Sequence, residues 1–82
     1  MKAHVIIYSK PGCHLCDVAK ETIERAGVAA DFNLEVISIE TDPTLFEKYK
    51  DDIPVILING VEAFRHRVDA KRFIQAISSV ES

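Results

Sequence analysis

Two cysteines lie at the boundary between a strand-like and a helix-like segment of the chain. Residues 3–8 form an apolar run rich in β-branched side chains, which predicts a strand buried on both faces. Pro11-Gly12 interrupts that run, and Cys13 and Cys16, the only cysteines among the 82 residues, follow directly. Apolar residues then recur at helical spacing as far as Ala26. The sequence therefore predicts a strand–turn–helix unit with two thiols in the first turn of the helix.

This first helix is predicted to run from Cys13 or His14 to about Ala26, with Gly27 as its C-cap. One side of it carries an apolar stripe, which we expect to face the sheet. The stripe consists of Leu15, Val18, Ala19, Thr22, Ile23 and Ala26.

The rest of the chain alternates between strand and helix signals. Asp42 and Pro43 are typical of the N-cap and first residue of a helix, and Asp69 is typical of a second N-cap. Further strands are predicted over residues 34–39, 55–58 and 61–68. The expected order of elements is β-α-β-α-β-β-α.

The connections between the strands indicate how they pair. A helix joins the first two strands, which predicts a parallel pair with a right-handed crossover. Asn59-Gly60 is the strongest hairpin signal in the chain and predicts that the last two strands are antiparallel. On the last strand, alternation places Val61, Ala63 and Arg65 on one face. We expect an α/β protein with a mixed four-stranded sheet, helices on both faces, and one domain over residues 1–82.

The cysteine spacing indicates thiol–disulfide exchange. At the N-cap, Cys13 would face unpaired backbone N–H groups and the positive end of the helix dipole, which lower the pKa of its thiol and favour the attacking thiolate. Cys16, most of a turn later and more buried, would resolve the mixed disulfide. Lys10 and His14 flank the nucleophile, and the Lys10 ammonium, or His14 when protonated, would favour the thiolate further. A solvated loop lysine and a water-facing histidine remain the alternatives for these two.

Two other functions use the same residues. A metal or iron–sulfur carrier would take two thiolates from Cys13 and Cys16, with other ligands from His14, a second subunit or glutathione. A non-catalytic binding module would carry the pair as a remnant, because a shared fold does not guarantee a shared activity. The sequence contains no recognisable set of metal ligands beyond the two cysteines.

Composition narrows the class of partner. The net charge of -3 and the pI near 5.5 give no indication of nucleic-acid binding. No apolar run approaches the length of a membrane span or of a secretory signal, so we expect no membrane partner and a cytoplasmic location. An acidic middle and a basic stretch over residues 65–72 are interpreted as solvated faces, and a monomer is expected.

Several motifs occur in the order found in one known superfamily. They are Lys10-Pro11-Gly12-Cys13 with Cys16, then Ile53-Pro54 followed by an apolar strand and Asn59-Gly60, then a helix after Asp69. In these motifs the chain resembles the thioredoxin superfamily, and its glutaredoxin-like branch most closely. The resemblance implies a dithiol–disulfide oxidoreductase with sheet order 2-1-3-4. It also implies a cis Pro54 beside Cys13, and an Ile53 backbone that pairs with an incoming peptide or thiol substrate.

Two departures from glutaredoxins bear on the ligand. His14-Leu15 stands where Pro-Tyr is usual, and residues 64–69 lack the usual glycine pair that closes on glutathione. The chain is most similar to the small glutaredoxin-like proteins with a Cys-x-Leu-Cys site. The resemblance puts glutathione forward as a ligand, whereas the missing glycines argue against it, and we expect no tightly bound cofactor. Expected partners are a disulfide-containing protein or low-molecular-weight thiol, and a reductase.

Overall fold

The computed structural model describes residues 2–81, and their side chains except at positions 29, 80 and 81. Four strands and three helices alternate in the predicted order β-α-β-α-β-β-α, with short 3-10 turns before and after the second strand. The elements are β1 (Ala3–Ser9), α1 (His14–Glu24), β2 (Phe32–Ser38), α2 (Pro43–Tyr49), β3 (Val55–Ile58), β4 (Val61–Arg65) and α3 (Ala70–Glu81).

The strands form a mixed sheet of order β2-β1-β3-β4, which confirms the expected topology. β1 and β2 are parallel, whereas β1 with β3 and β3 with β4 are antiparallel. The β3–β4 hairpin turns at Asn59 and Gly60, whose φ angles of 51° and 83° are both left-handed. A two-residue turn with this backbone matches the right-handed twist of the strands, which explains the choice of residues.

Helices cover both faces of the sheet. α1 and α3 pack on one face, where the phenyl rings of Phe32 and Phe73 meet edge to face at 5.3 Å between centroids. The buried residues of this larger cluster are Ala3, Val5, Ile7, Ala19, Ile23, Phe32, Ile56, Ile58, Phe73 and Ile77. α2 covers the other face with a smaller cluster built on Ile39, Tyr49 and Val55.

The apolar stripe of α1 is wider than its contact with the sheet. Ala19 and Ile23 are buried as expected, but the residue surfaces of Leu15 and Val18 are each 45% exposed. α1 shares its face of the sheet with α3, and Cys16, Ala19 and Ile23 form its buried line. The expectation that the whole stripe faces the sheet was therefore wrong for Leu15 and Val18.

β4 is shorter than predicted and contains a bulge. The strand ends at Arg65 and does not reach residue 68. The register with β3 shifts so that Leu57 pairs with Glu62 while Ile56 pairs with Phe64, which leaves Ala63 between them. Arg65 consequently shares a face with Glu62, and the alternation predicted for this strand was wrong.

Of the three capping residues predicted from the sequence, two cap their helices in the structure. The Asp42 carboxylate accepts from the Thr44 N–H at 2.8 Å, and the Asp69 carboxylate accepts from the Arg72 N–H at 3.1 Å, which confirms both N-caps. α1, by contrast, ends with Arg25 as its C-cap, two residues before Gly27. Within residues 2–81, no helix is both long and apolar enough to cross a membrane.

Candidate functional site

Three connecting segments lie at one end of the sheet. Tyr8, near the end of β1, pairs with Val55 at the start of β3, and Val55 pairs with Arg65 at the end of β4. The loop carrying the cysteines, the Ile53-Pro54 segment and the chain after β4 therefore leave the sheet side by side. This end of the molecule brings together the site residues identified in the sequence.

A tight turn leads into the first cysteine. The Cys13 N–H donates to the Lys10 carbonyl at 3.3 Å, and Gly12 between them has a φ of +79°. Proline followed by a residue at positive φ is the signature of a type II turn. Glycine adopts the positive φ at the third position of this turn without strain. Lys10 and His14 on either side of the turn and cysteine are exposed.

The two cysteines are bonded to each other across the first turn of α1. Cys13 is the N-cap, with extended backbone, and its Cα lies 5.3 Å from that of Cys16. The Cys16 N–H donates to the Cys13 sulfur at 3.2 Å. Cys13 is half-buried, whereas Cys16 is only 5% exposed. Cys13 is therefore the more accessible residue of the pair.

The Ile53–Pro54 peptide bond is cis, as the family resemblance implied. Pro54 is buried, and its carbonyl accepts from the His66 N–H at 2.8 Å. Ile53 packs its side chain against the smaller core cluster. Within residues 2–81, no hydrogen bond involves the backbone N–H or carbonyl of Ile53, so both groups remain available to another chain.

Asp52 connects this segment to the end of β4. Its carboxylate lies 3.0 Å from Arg65 Nη1 and 3.7 Å from His66 Nε2. Arg65 Nε also donates to Glu62 at 2.7 Å, and this hydrogen bond is the main reason that the pKa of Arg65 is raised. The acidic and basic stretches of the sequence thus meet in part as ion pairs. Sequence reasoning missed these pairs because only the fold brings the partners together.

The chain after β4 takes an unusual backbone path. His66 has a φ of +66°, a region that few residues other than glycine occupy. The Arg67 N–H donates to the Arg65 carbonyl at 2.6 Å, which closes a γ-turn around His66. This turn ends β4 and directs residues 66–68 toward α1.

A groove of about 290 Å³ separates residues 66–68 from α1. Its lining is mostly apolar and includes the two exposed members of the α1 stripe. The lining residues are Leu15, Val18, Ala19, Thr22, His66, Arg67 and Val68. The sequence signal for this groove was the width of the apolar stripe on α1, because the stripe is wider than the part of the helix that one face of a sheet can cover.

The described residues provide few ligands for a metal. Within residues 2–81, no group of three or more histidine, cysteine, aspartate or glutamate side chains is arranged to hold a metal ion. Cys13 and Cys16 could supply two thiolates, and a tetrahedral site needs two more ligands from elsewhere.

Comparisons with known proteins agree with this geometry. The model of the glutaredoxin-like domain family (DUF836) matches residues 4–78. The "Glutaredoxin-like protein YDR286C homolog" of Dictyostelium discoideum is 33% identical over 94% of this chain and 77% of its own length.

Two solved structures share the fold. Protein Ne2328 from Nitrosomonas europaea superposes with a TM-score of 0.79 at 24% identity, covering 93% of this chain and 92% of that one. The oxidised thioredoxin of Plasmodium falciparum superposes with a TM-score of 0.63 at 12% identity, covering 99% of this chain and 83% of that one. The chain therefore belongs to the glutaredoxin-like domain family and has the thioredoxin-like fold.

Proposed function

We propose that this protein is a thiol–disulfide oxidoreductase that uses Cys13 and Cys16 as its redox-active pair. The observation that carries the proposal is the bonded pair itself, with Cys13 half-buried at a helix N-cap and Cys16 only 5% exposed. The more accessible cysteine can meet a substrate, and its shielded neighbour can complete the exchange. The family membership supports the same activity.

In the first step the reduced protein attacks its substrate. The Cys13 thiolate displaces one sulfur of a substrate disulfide, so that a mixed disulfide forms and one substrate thiolate leaves and takes up a proton. The backbone N–H of Cys16, which points at the Cys13 sulfur, would stabilise the thiolate before the attack. Lys10 is exposed beside the site and would add positive charge there, as would His14 in its protonated form.

In the second step the protein releases its product. Cys16 loses its proton to solvent and attacks the Cys13 sulfur, which forms the intramolecular disulfide and expels the second substrate thiolate. Two electrons have then passed from the protein to the substrate. A reductase or a low-molecular-weight thiol must return them before the next turnover.

The Ile53-Pro54 segment would position the substrate. The free N–H and carbonyl of Ile53 can pair with an extended peptide next to the substrate cysteine, as an added strand does at a sheet edge. The substrates that we propose are protein disulfides and small-thiol disulfides. We propose that the protein acts in the cytoplasm as a monomer of one domain, without a tightly bound cofactor.

Replacing each cysteine separately tests the proposal. Cys13→Ser should abolish reduction of a peptide disulfide, because the attacking sulfur is gone. Cys16→Ser should bind the substrate covalently as a mixed disulfide, detectable by mass spectrometry, because nothing resolves it. Full turnover by both folded variants would show that the pair is not the reactive centre.

A further inference from the structure

The groove between α1 and residues 66–68 exposes apolar side chains that the fold leaves unburied. Leu15 and Val18 line it and are each 45% exposed, although they belong to the same stripe as the buried Ile23. Half-exposed apolar side chains that line a concave surface are typical of a place where another molecule packs.

One lining residue of the groove, Leu15, is a sequence neighbour of the redox pair, although neither cysteine lines the groove itself. Leu15 lies between Cys13 and Cys16 in sequence, and Val18 lies five residues after Cys13. At a helical rise of about 1.5 Å per residue, Val18 lies about 7.5 Å along α1 from the outer cysteine. An extended peptide covers about 7 Å in two residues. A substrate side chain two positions from the attacked cysteine therefore comes level with Val18 along the helix axis.

The rim of the groove carries one basic side chain that has no acidic partner among residues 2–81. Arg65 and His66 both face the Asp52 carboxylate, and Arg65 also pairs with Glu62. Arg67 lines the groove and makes no ion pair within the described part of the chain. None of the groove's lining residues is acidic. An arginine beside an apolar surface in this setting favours a carboxylate on the bound molecule.

We infer that this groove selects the substrate of the redox pair. It takes an apolar side chain about two residues from the substrate cysteine, and Arg67 binds a carboxylate next to that side chain. The preferred substrates are disulfides in extended protein segments that are both apolar and acidic. This inference rests on the proposed function, and it assigns specificity to Val18 and Arg67.

Short peptides whose cysteine is bonded to 5-thio-2-nitrobenzoate provide the test. Attack by the reduced protein on the peptide sulfur forms the Cys13–peptide disulfide and releases the coloured nitrobenzoate thiolate, so that the rate can be followed optically. The peptides differ at two positions: the residue two positions from the cysteine and the residue next to that one. The first peptide carries Leu and Glu at these positions, the second carries Leu and Lys, and the third carries Ser and Glu. The symmetric dinitrobenzoate disulfide, which has no peptide, shows whether the redox pair reacts at all; because it carries carboxylates of its own, its rate does not enter the comparison of peptides.

The wild type should react about tenfold faster with the Leu-Glu peptide than with the Leu-Lys peptide, and faster than with the Ser-Glu peptide. Arg67→Glu should reverse the order of the two leucine peptides. Lys20→Glu is the matched control, since Lys20 is exposed on α1 and does not line the groove. Lys20→Glu changes the net charge by the same amount as Arg67→Glu, and it should keep the wild-type order of the peptide reaction rates.

Val18→Ser should remove the preference for leucine over serine. Its control is Val36→Ser, which replaces a valine of similar exposure, 46%, on β2 and outside the groove. Each comparison is the ratio of the rates at which one variant reacts with two peptides, so a general loss of activity cancels in the ratio.

The outcomes separate the two proposals. If the reduced protein releases no nitrobenzoate from any probe, the oxidoreductase proposal fails and this inference fails with it. If all peptides react at equal rates, the redox activity stands and the groove does not select. An equal change of the ratio in Arg67→Glu and Lys20→Glu would show a general charge effect and would also overturn the inference.

Discussion

The backbone N–H of His66 donates to the carbonyl of Pro54 at 2.8 Å, and this bond joins two of the three segments around the disulfide. The His66 side chain faces Asp52 at 3.7 Å, so the segments meet a second time through their side chains. Between the N–H that makes the first contact and the side chain that makes the second, the backbone of His66 is left-handed, with a φ of +66°. His66, which is not a glycine, thus adopts a left-handed backbone conformation in the segment that forms one side of the groove.

Substitution at His66 should affect stability through its backbone. His66→Val places a β-branched residue at positive φ, whereas His66→Gly adopts the same φ without strain. The free energy of unfolding of His66→Gly should therefore exceed that of His66→Val by about 1–2 kcal/mol. Urea unfolding of the two variants measures the difference directly. Equal stability of the Gly and Val variants would contradict the observed backbone path.

Two residues of the α1 stripe should respond differently to truncation. Ile23→Ala removes a fully buried side chain and should cost about 2–5 kcal/mol of unfolding free energy. Val18→Ala removes a side chain of a half-exposed residue and should cost less than about 1 kcal/mol. Similar losses in denaturant unfolding would mean that Val18 belongs to the core and that the groove is closed.

The ion pair between Asp52 and Arg65 should contribute little to stability. Both side chains are partly exposed, so solvent and salt screen their attraction. Asp52→Asn is expected to lower the midpoint of urea unfolding slightly, and the difference from the wild type should shrink at about 1 M sodium chloride, where the screening length is about 3 Å. A large loss that persists in high salt would indicate a structural role beyond the ion pair.

The two thiols of the reduced protein should differ in reactivity. At pH 7, iodoacetamide should alkylate Cys13 at least about tenfold faster than Cys16, since Cys13 is the half-buried N-cap and Cys16 is only 5% exposed. Mass spectrometry of peptides after brief labelling gives both rates. The single variants Cys13→Ser and Cys16→Ser confirm the assignment. Faster labelling of Cys16 would reverse the proposed roles of the two sulfurs.

The Cys13–Cys16 disulfide should form and open reversibly. In thiol–disulfide buffers of known potential, a two-electron transition is expected between roughly -300 and -120 mV, the range of exchange catalysts. Trapping with acid and alkylation gives the oxidised fraction at each potential. A pair that never forms a reversible disulfide would favour the metal-carrier or binding-module alternatives.

Local chemistry made much of the fold predictable. Asp42 and Asp69 cap their helices as expected, because a cap depends only on the next two or three residues. Asn59 and Gly60 turn the hairpin, because few other residues adopt two left-handed φ angles in succession. The cis bond before Pro54 followed from the family resemblance alone.

The remaining features depend on contacts between distant parts of the chain. The bulge in β4 accompanies the packing of Phe64 against the larger core cluster, which no local pattern in that strand reveals. The exposure of Leu15 and Val18 depends on how α1 shares its face with α3. The pairing of Asp52 with Arg65 requires the β3–β4 hairpin to be in place. For these reasons the reactive pair was identified from sequence, whereas the groove beside it was not.

The β-hairpin turn offers a place to attach the molecule to a surface. The Asn59 N–H bonds to the His4 carbonyl near the start of β1, while Cys13 follows the far end of that strand, so the turn and the disulfide lie at opposite ends of the sheet. A Cβ added at Gly60 would meet no atom within 4 Å, although its left-handed φ disfavours other residues. A tether attached at this turn would therefore hold the protein on an electrode or bead with its disulfide facing the solution.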